Sequence, residues 1–139
     1  MKIDKLWNGL KRITNGYYVL EGDLISEETI EINLDDCFVV NGKIRTKKSI
    51  VVCCGIEAGL GIEAGECIKA GWGIKADEGI KAGWGIEAKT FINASKRIFA
   101  GISLYRTSKD CDKTIRCAEL RNGEICYGDL TIIENGGKR

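Results

Sequence analysis

Between residues 31 and 102 a large apolar residue recurs at every sixth position, giving Ile32, Phe38, Ile44, Ile50, Ile56, Ile62, Ile68, Ile74, Ile80, Ile86, Ile92 and Ile98. A second column stands two residues later, with Leu34, Val40, Thr46 and Val52 followed by alanine from Ala58 to Ala100. Side chains two apart on a strand share a face, so both columns point inward and the residue between them points out. That outward column is mostly charged: Arg45, Glu57, Glu63, Lys69, Lys75, Lys81 and Glu87. The next position is rich in Gly, Asn and Asp, such as Asp35, Asn41, Gly59, Gly65, Gly71, Asp77 and Gly83. These residues accept a left-handed backbone at the lowest steric cost, so the column predicts a corner. Each hexapeptide is therefore a very short strand and a bend. Strands this short do not make independent hairpins, and stacking them as coils of a solenoid is what buries the two columns.

Charge decides how many hexapeptides close one coil. With three per coil, residues 18 apart are neighbours, and Arg45 meets Glu63, Glu63 meets Lys81, Lys69 meets Glu87, Glu57 meets Lys75, Lys48 meets Glu66 and Glu78 meets Lys96. Every pair is opposite in sign. A two-unit coil would set Lys69 on Lys81 and Glu66 on Glu78, at a cost of a few tenths up to about 1 kcal/mol per pair. The isoleucine column also needs the wider interior of a triangle. The expected fold is mainly β, a three-sided parallel β-helix of about four 18-residue coils, roughly 19 Å tall at ~4.8 Å per coil. The handedness rule for parallel crossovers favours a right-handed coil. In the first coil Leu34, Val40 and Thr46 stand where alanine follows later, which predicts a broader N-terminal base.

The ends do not follow the repeat. Residues 1–30 read as an N-terminal cap, in which Asp4 is placed to cap a short amphipathic helix carrying Ile3, Leu6, Trp7, Leu10 and Ile13. Asn15-Gly16 is a turn signal and YYVLEGDLI after it reads as strand. Trp7, Tyr17 and Tyr18 are expected to plug the end. Residues 103–139 read as a C-terminal cap and tail. There TIRCAEL and EICYGDLTII flank Arg121-Asn122-Gly123 as a hairpin, which would cover Phe91, Phe99, Ile102 and Leu104. The solenoid is residues 31–102, and no Pro or linker-like composition divides the 139 residues, so a single domain is expected.

Composition narrows the function classes. A net charge of +1 with interspersed Lys and Glu implies no polyanion partner, and the short basic stripe Lys43, Arg45, Lys47 and Lys48 lies beside Asp35, Asp36 and Glu63 without interleaved aromatics. No nucleic acid is expected. No run of 18 apolar residues exists, and MKIDKLWNGL lacks an apolar signal core, which predicts a cytoplasmic chain with no membrane partner. The seven cysteines, Cys37, Cys53, Cys54, Cys67, Cys111, Cys117 and Cys126, include no CxxC and are accompanied by no His. They read as reduced thiols, with no metal or cofactor expected. A cluster of Cys111 with Cys117 or Cys126 is the one worth testing. An ice-binding face is disfavoured, because the outward columns carry Lys and Glu in place of a Thr ladder.

Two hexapeptide families bear on the order of the repeat. In the acyl- and nucleotidyl-transferring left-handed β-helix proteins a small residue precedes the large aliphatic by two. Here Gly immediately precedes Ile and Ala follows by two, and a general-base His is absent. Carboxylates such as Glu66 and Glu78 would have to replace it, so a hexapeptide-type transferase ranks third and no catalytic residue is expected. Segments such as GIEAGLGIEAGECIKAGWGIKA resemble instead the repeats of bactofilins, bacterial polymer-forming proteins with a right-handed triangular β-helix that assembles end to end. The resemblance covers the repeat region and implies a structural, self-associating protein. The GIKAGWGIEA phrase is also similar to segments of small bacterial and phage proteins.

The outward apolar residues are the candidates for contact with a protein partner or a second copy: Leu60, Trp72, Trp84, Phe91 and Phe99. Trp in water on a rigid rod is the kind of residue that becomes an interface hot spot. The competing reading lays each Trp flat on a bare neighbouring Gly such as Gly73 or Gly85. Three-sided geometry puts Trp72 and Trp84 on different corners. The expected function is a non-enzymatic structural or protein-interaction module that self-associates as a homo-oligomer. The alternative is a small inhibitor or adaptor, for instance a phage-type anti-defence protein, docked on another macromolecule.

Overall fold

The computed structural model describes residues 1–4, 11–12, 17–102 and 113–133, and builds them into a parallel β-solenoid of six turns. Strands β1 (Lys2–Ile3) and β2 (Lys11–Arg12) precede the first coil, which is β3 (Tyr18–Leu20), β4 (Leu24–Ser26) and β5 (Ile30–Ile32). The second is β6 (Phe38–Val40), β7 (Ile44–Thr46) and β8 (Ile50–Val52), and the third β9 (Ile56–Ala58), β10 (Ile62–Ala64) and β11 (Ile68–Ala70). The fourth is β12 (Ile74–Ala76), β13 (Ile80–Ala82) and β14 (Ile86–Ala88). In the fifth, β15 (Phe91–Ala100) runs along two sides and β16 (Thr114–Cys117) makes the third; β17 (Glu119–Tyr127) and β18 (Asp129–Ile132) form the sixth.

Stacking makes three faces. The first carries β3, β6, β9, β12 and the start of β15, the second β4, β7, β10, β13 and the end of β15, and the third β1, β5, β8, β11, β14, β16 and β18. Through the middle of the molecule each isoleucine sits on the isoleucine 18 residues away, as in Ile44 on Ile62 on Ile80 on Ile98. All of these are 0–2% exposed, and so is Phe38. Each such side chain contributes roughly 1.5–3 kcal/mol by leaving water, so the columns are the main source of cohesion. The charge stacks that fixed the coil length are in register: Arg45 on Glu63 on Lys81, Glu57 on Lys75 and Lys69 on Glu87. Arg45 and Glu63 approach to 4.0 Å and Lys75 and Glu57 to 3.7 Å.

The solenoid starts earlier than the hexapeptide count implied. Tyr18, Leu24 and Ile30 stack on Phe38, Ile44 and Ile50, so the first coil takes 20 residues. Ile32 therefore belongs to the second inward column, on Val52, and the large column continues through Ile30. The cause is a two-residue insertion in the corner before Phe38, where Asn33–Cys37 occupies a place that takes three residues elsewhere. Leu34 fills this corner and is 4% exposed. The second inward column is bulkier toward this end, where Val40, Thr46 and Val52 stack on Ala58, Ala64 and Ala70, while Leu34 lies in the corner and not in that column. Thr46 fits this apolar column because its hydroxyl donates to the carbonyl of Glu28. Ile3 lies in a strand, where a helix was expected, and is fully buried on Ile32. Leu6, Trp7, Leu10, Ile13 and the Asn15-Gly16 turn lie outside the described residues. Tyr18 is buried, its hydroxyl donating to Asp35 Oδ1 at 2.7 Å, while Tyr17 is half-buried.

The corner glycines have a different cause from the one expected. Among the described residues positive φ occurs at Gly22, Gly101, Gly123 and Gly128, so Gly59, Gly65 and Gly71 are not left-handed. A Cβ at those three positions would instead overlap the carbonyl oxygens of Asn41, Lys47 and Cys53 in the coil beneath. Close approach of two backbones is what selects Gly there.

The C-terminal hairpin is not formed. Residues 119–127 are one strand that pairs parallel to β15, and β18 pairs parallel to β16, so the segment continues the winding as a sixth coil. Gly123, at φ 125°, turns the chain at the corner between the first and second faces instead of reversing it. Leu120, Ile125 and Leu130 stack on Ile92, Ile98 and Ile115. Their five-residue spacing makes this last coil smaller than the others.

Candidate functional site

The five candidate residues lie on three corners and one face, and the structure joins two of them. The corner between the third and first faces carries a ladder of side chains. At its base Asp36 Oδ1 accepts the backbone N–H of Cys37 at 2.8 Å. Cys37 and the Trp72 ring both lie against Gly55, where a Cβ would be 2.9 Å from Cys37 Sγ and 3.4 Å from Trp72 Cε3. One coil on, Phe91 covers Gly73, and its ring meets Trp72 edge to face with centroids 5.3 Å apart and planes at 81°. The Arg121 guanidinium lies 3.9 Å from the centre of the Phe91 ring, and its Nε donates to Glu119 Oε1 at 3.0 Å.

Trp72 is thus neither free nor buried. It rests on the glycine of the preceding coil, Gly55, and 49% of it stays in water. Its backbone is fixed on both sides, since its N–H donates to the Cys54 carbonyl at 3.1 Å and its carbonyl accepts the Thr90 N–H at 2.9 Å. An aromatic in this state reaches a partner with little loss of conformational freedom.

Trp84 occupies the corner between the second and third faces and is half-buried. Its indole walls a notch of about 400 Å³ lined also by Lys69, Glu87, Thr114 and Arg116. Leu60, 42% exposed, stands on the remaining corner. It borders a shallow groove on the second face with Arg45, Glu63 and Lys81. That groove meets a wider one of about 850 Å³ at Glu78, Gly79 and Lys81, with Arg97, Phe99 and Glu124 on its far side. Phe99 is half-buried beside Tyr127, with the Lys81 ammonium 5.8 Å from its ring centre. The C-terminal coil therefore does stack on Phe91 and Phe99, as a coil and not as a hairpin. Ile102 is 45% exposed and Leu104 lies outside the described residues.

Arg121 was missed as a contact residue because Arg-Asn-Gly reads as a hairpin turn. Tyr127, Leu130 and Ile132, all exposed, were missed for the same reason. The apolar spacing of five from Leu120 to Ile125 to Leu130 was the available signal.

The chemistry-bearing groups are modest. Burial, aided by Asp36, pushes the Cys37 thiol up from its ordinary value, and burial does the same to Cys54 and Cys117. These thiols are held away from the thiolate that a nucleophile needs. Cys111, the expected partner of Cys117 or Cys126, lies outside the described residues. Glu66 accepts a hydrogen bond from the Ser49 hydroxyl at 3.2 Å, and Glu78 is exposed on the groove. The basic stripe is partly neutralised, with Lys47 2.9 Å from Glu27 and Lys48 3.7 Å from Glu28. Among the described residues no group of His, Cys, Asp and Glu is placed to hold a metal ion, and no helix is long and apolar enough to cross a membrane. Compared with family models, curated proteins and solved structures, the chain matches none of them.

Proposed function

We propose that this chain is a non-enzymatic structural or protein-interaction module that self-associates in the cytoplasm, using the rigid solenoid to hold apolar and aromatic groups at fixed positions. The observation that carries the reading is the Trp72, Phe91 and Arg121 ladder. Trp and Arg are the residue types in which interface energy concentrates, and half of Trp72 is left in water on a backbone that cannot relax to hide it. The raised thiols of Cys37, Cys54 and Cys117 speak against nucleophilic chemistry. The competing reading, a small inhibitor or adaptor on another macromolecule, would use the same corner.

Size exclusion with light scattering, over a range of concentrations, tests the reading. The expected result is a concentration-dependent mass above that of one chain. Trp72→Ser and Trp84→Ser should weaken association with a partner or second copy while leaving the far-ultraviolet dichroism of the β-solenoid intact. A wild-type chain that stays monomeric at high concentration while capturing one specific partner would replace self-association with the adaptor reading. Unfolding of Trp72→Ser would assign Trp72 to the core instead.

A further inference from the structure

The two ends of the solenoid are unlike. At the N-terminal end β1 lies on β5 and β2 on β3, covering those strand edges, and the inward residues Ile3, Tyr18, Leu24 and Ile30 are 0–4% exposed. At the C-terminal end no described strand follows the sixth coil. Its inward residues are open, with Leu130 42% and Ile132 57% exposed, and Leu120 and Ile125 only partly buried. The outer backbone edges of β17 and β18 have no described partner, and an uncovered edge is a template for another strand.

The N-terminal end has strand edges at β1, β2 and β4 but no open apolar layer to match this one, since its inward residues are covered, whereas a second C-terminal coil presents the same open residues. We propose that the C-terminal coil is a tail-to-tail interface with a second copy of this chain, a closed two-fold dimer; this rests on the self-association reading above. Two copies meeting end to end wind in opposite senses, so β17 pairs antiparallel with the β17 of the other copy. A two-fold axis at the Asn122–Gly123 corner exchanges the two faces that β17 spans. It brings Leu120 opposite the second copy's Ile125, both inward, and Arg121 opposite the second copy's Glu124, both outward. Each contact occurs twice, as an isologous interface requires. The chemistry of both pairs is complementary, apolar on apolar and cation on carboxylate. Within one chain Arg121 is held by Glu119 at 3.0 Å and Glu124 lies 3.9 Å from Arg97, yet the two side chains are 47% and 76% exposed and face outward at the rim.

The test is a mixing experiment on the full chain. Arg121→Glu and Glu124→Arg each create like-charge pairs across the axis, and each alone should dimerise roughly tenfold or more weakly than wild type. Mixed in equal amounts they restore two opposite-charge pairs, and the mixture should recover the dimer mass. Ile132→Glu, at an exposed position, should weaken the dimer with no rescue by either variant; dichroism confirms that each variant is folded. Wild-type dimers that persist in all three variants overturn this interface and leave self-association standing. A wild-type chain that is monomeric throughout overturns both.

Discussion

Replacing Gly73 by Ala tests the aromatic ladder directly. A Cβ at Gly73 would lie 2.8 Å from Cδ2 of Phe91 and closer still to Cε2 and Cζ, and these are its three nearest atoms. Ordinary contact begins near 3.4 Å, so the ring must move or tilt, and with it the edge contact to Trp72 and the stacked Arg121 guanidinium. Overpacking of this kind costs about 1–3 kcal/mol. Phe91→Ala removes the ring and costs about 2–3 kcal/mol, below the range for a fully buried Phe because Phe91 is only half-buried. In the Phe91→Ala background the three atoms that a Cβ at Gly73 would strike are gone. Since φ at Gly73 is not positive, Ala fits there and should even gain about 0.4–1 kcal/mol by restricting the unfolded chain. The sign of the Gly73→Ala effect should thus reverse. Denaturant unfolding of the four chains, followed by dichroism and by tryptophan emission to check that the transitions coincide, gives the coupling. If Gly73→Ala costs the same in both backgrounds, within about 0.5 kcal/mol, Phe91 does not lie over Gly73 and the ladder is wrong.

Two further outcomes are expected. Ala76→Leu and Ala82→Leu, at positions 1% and 0% exposed, should each lose about 1–3 kcal/mol in the same assay. Unchanged melting would remove alanine from the interior. Cys37, Cys54 and Cys117 have folded pKa values raised above the ordinary value of 9.0. A raised pKa means that the folded state favours the protonated thiol. The stability it contributes is therefore complete below the unfolded pKa and is lost as pH rises through the folded one. Denaturation midpoints should fall as pH is raised above about 9, and Cys117→Ala should flatten the decline; an equal decline without Cys117 would assign it to other groups.

Much of the architecture was legible because a solenoid writes its geometry into sequence as columns. Inward Ile and Ala, outward charge and the sign of stacked charges depend only on residue type and spacing, and these fixed the three-sided coil. The boundaries were not legible, for two physical reasons. Two extra residues at Asn33–Cys37 shift the phase, so Ile32 keeps the period of six by coincidence and the true partner, Ile30, is hidden. At the other end the spacing falls to five, and Arg121-Asn122-Gly123 satisfies the chemistry of a hairpin turn equally well as that of a coil corner. The choice between them is made by what lies beneath, the inward Ile92 and Ile98, and not by the local residues. The contact candidates followed the same division. Trp72 and Phe91 were visible as outward aromatics, but that they touch depends on the coil of 18, and Arg121 depended on the missed sixth coil.

Coil length is the feature with the widest reach. Ile30 to Ile50 spans 20 residues, Ile50 to Ile68 and Ile68 to Ile86 span 18, and Ile86 to Ile115 spans 29, yet each partner lands on its predecessor. The flat sides of the inner coils pair without a single added residue, because one regular step would turn the inward column outward. The corners tolerate two extra residues at one place and eleven at another without disturbing the stack. Through the first five coils length variation is thus confined to corners, and only in the sixth does a side take an extra residue, at Arg121 and at Cys126, as bulges against β15. A tag or binding loop grafted into a corner would ride on an unchanged rod, whereas the same graft within a side of the inner coils would break the winding from that point on.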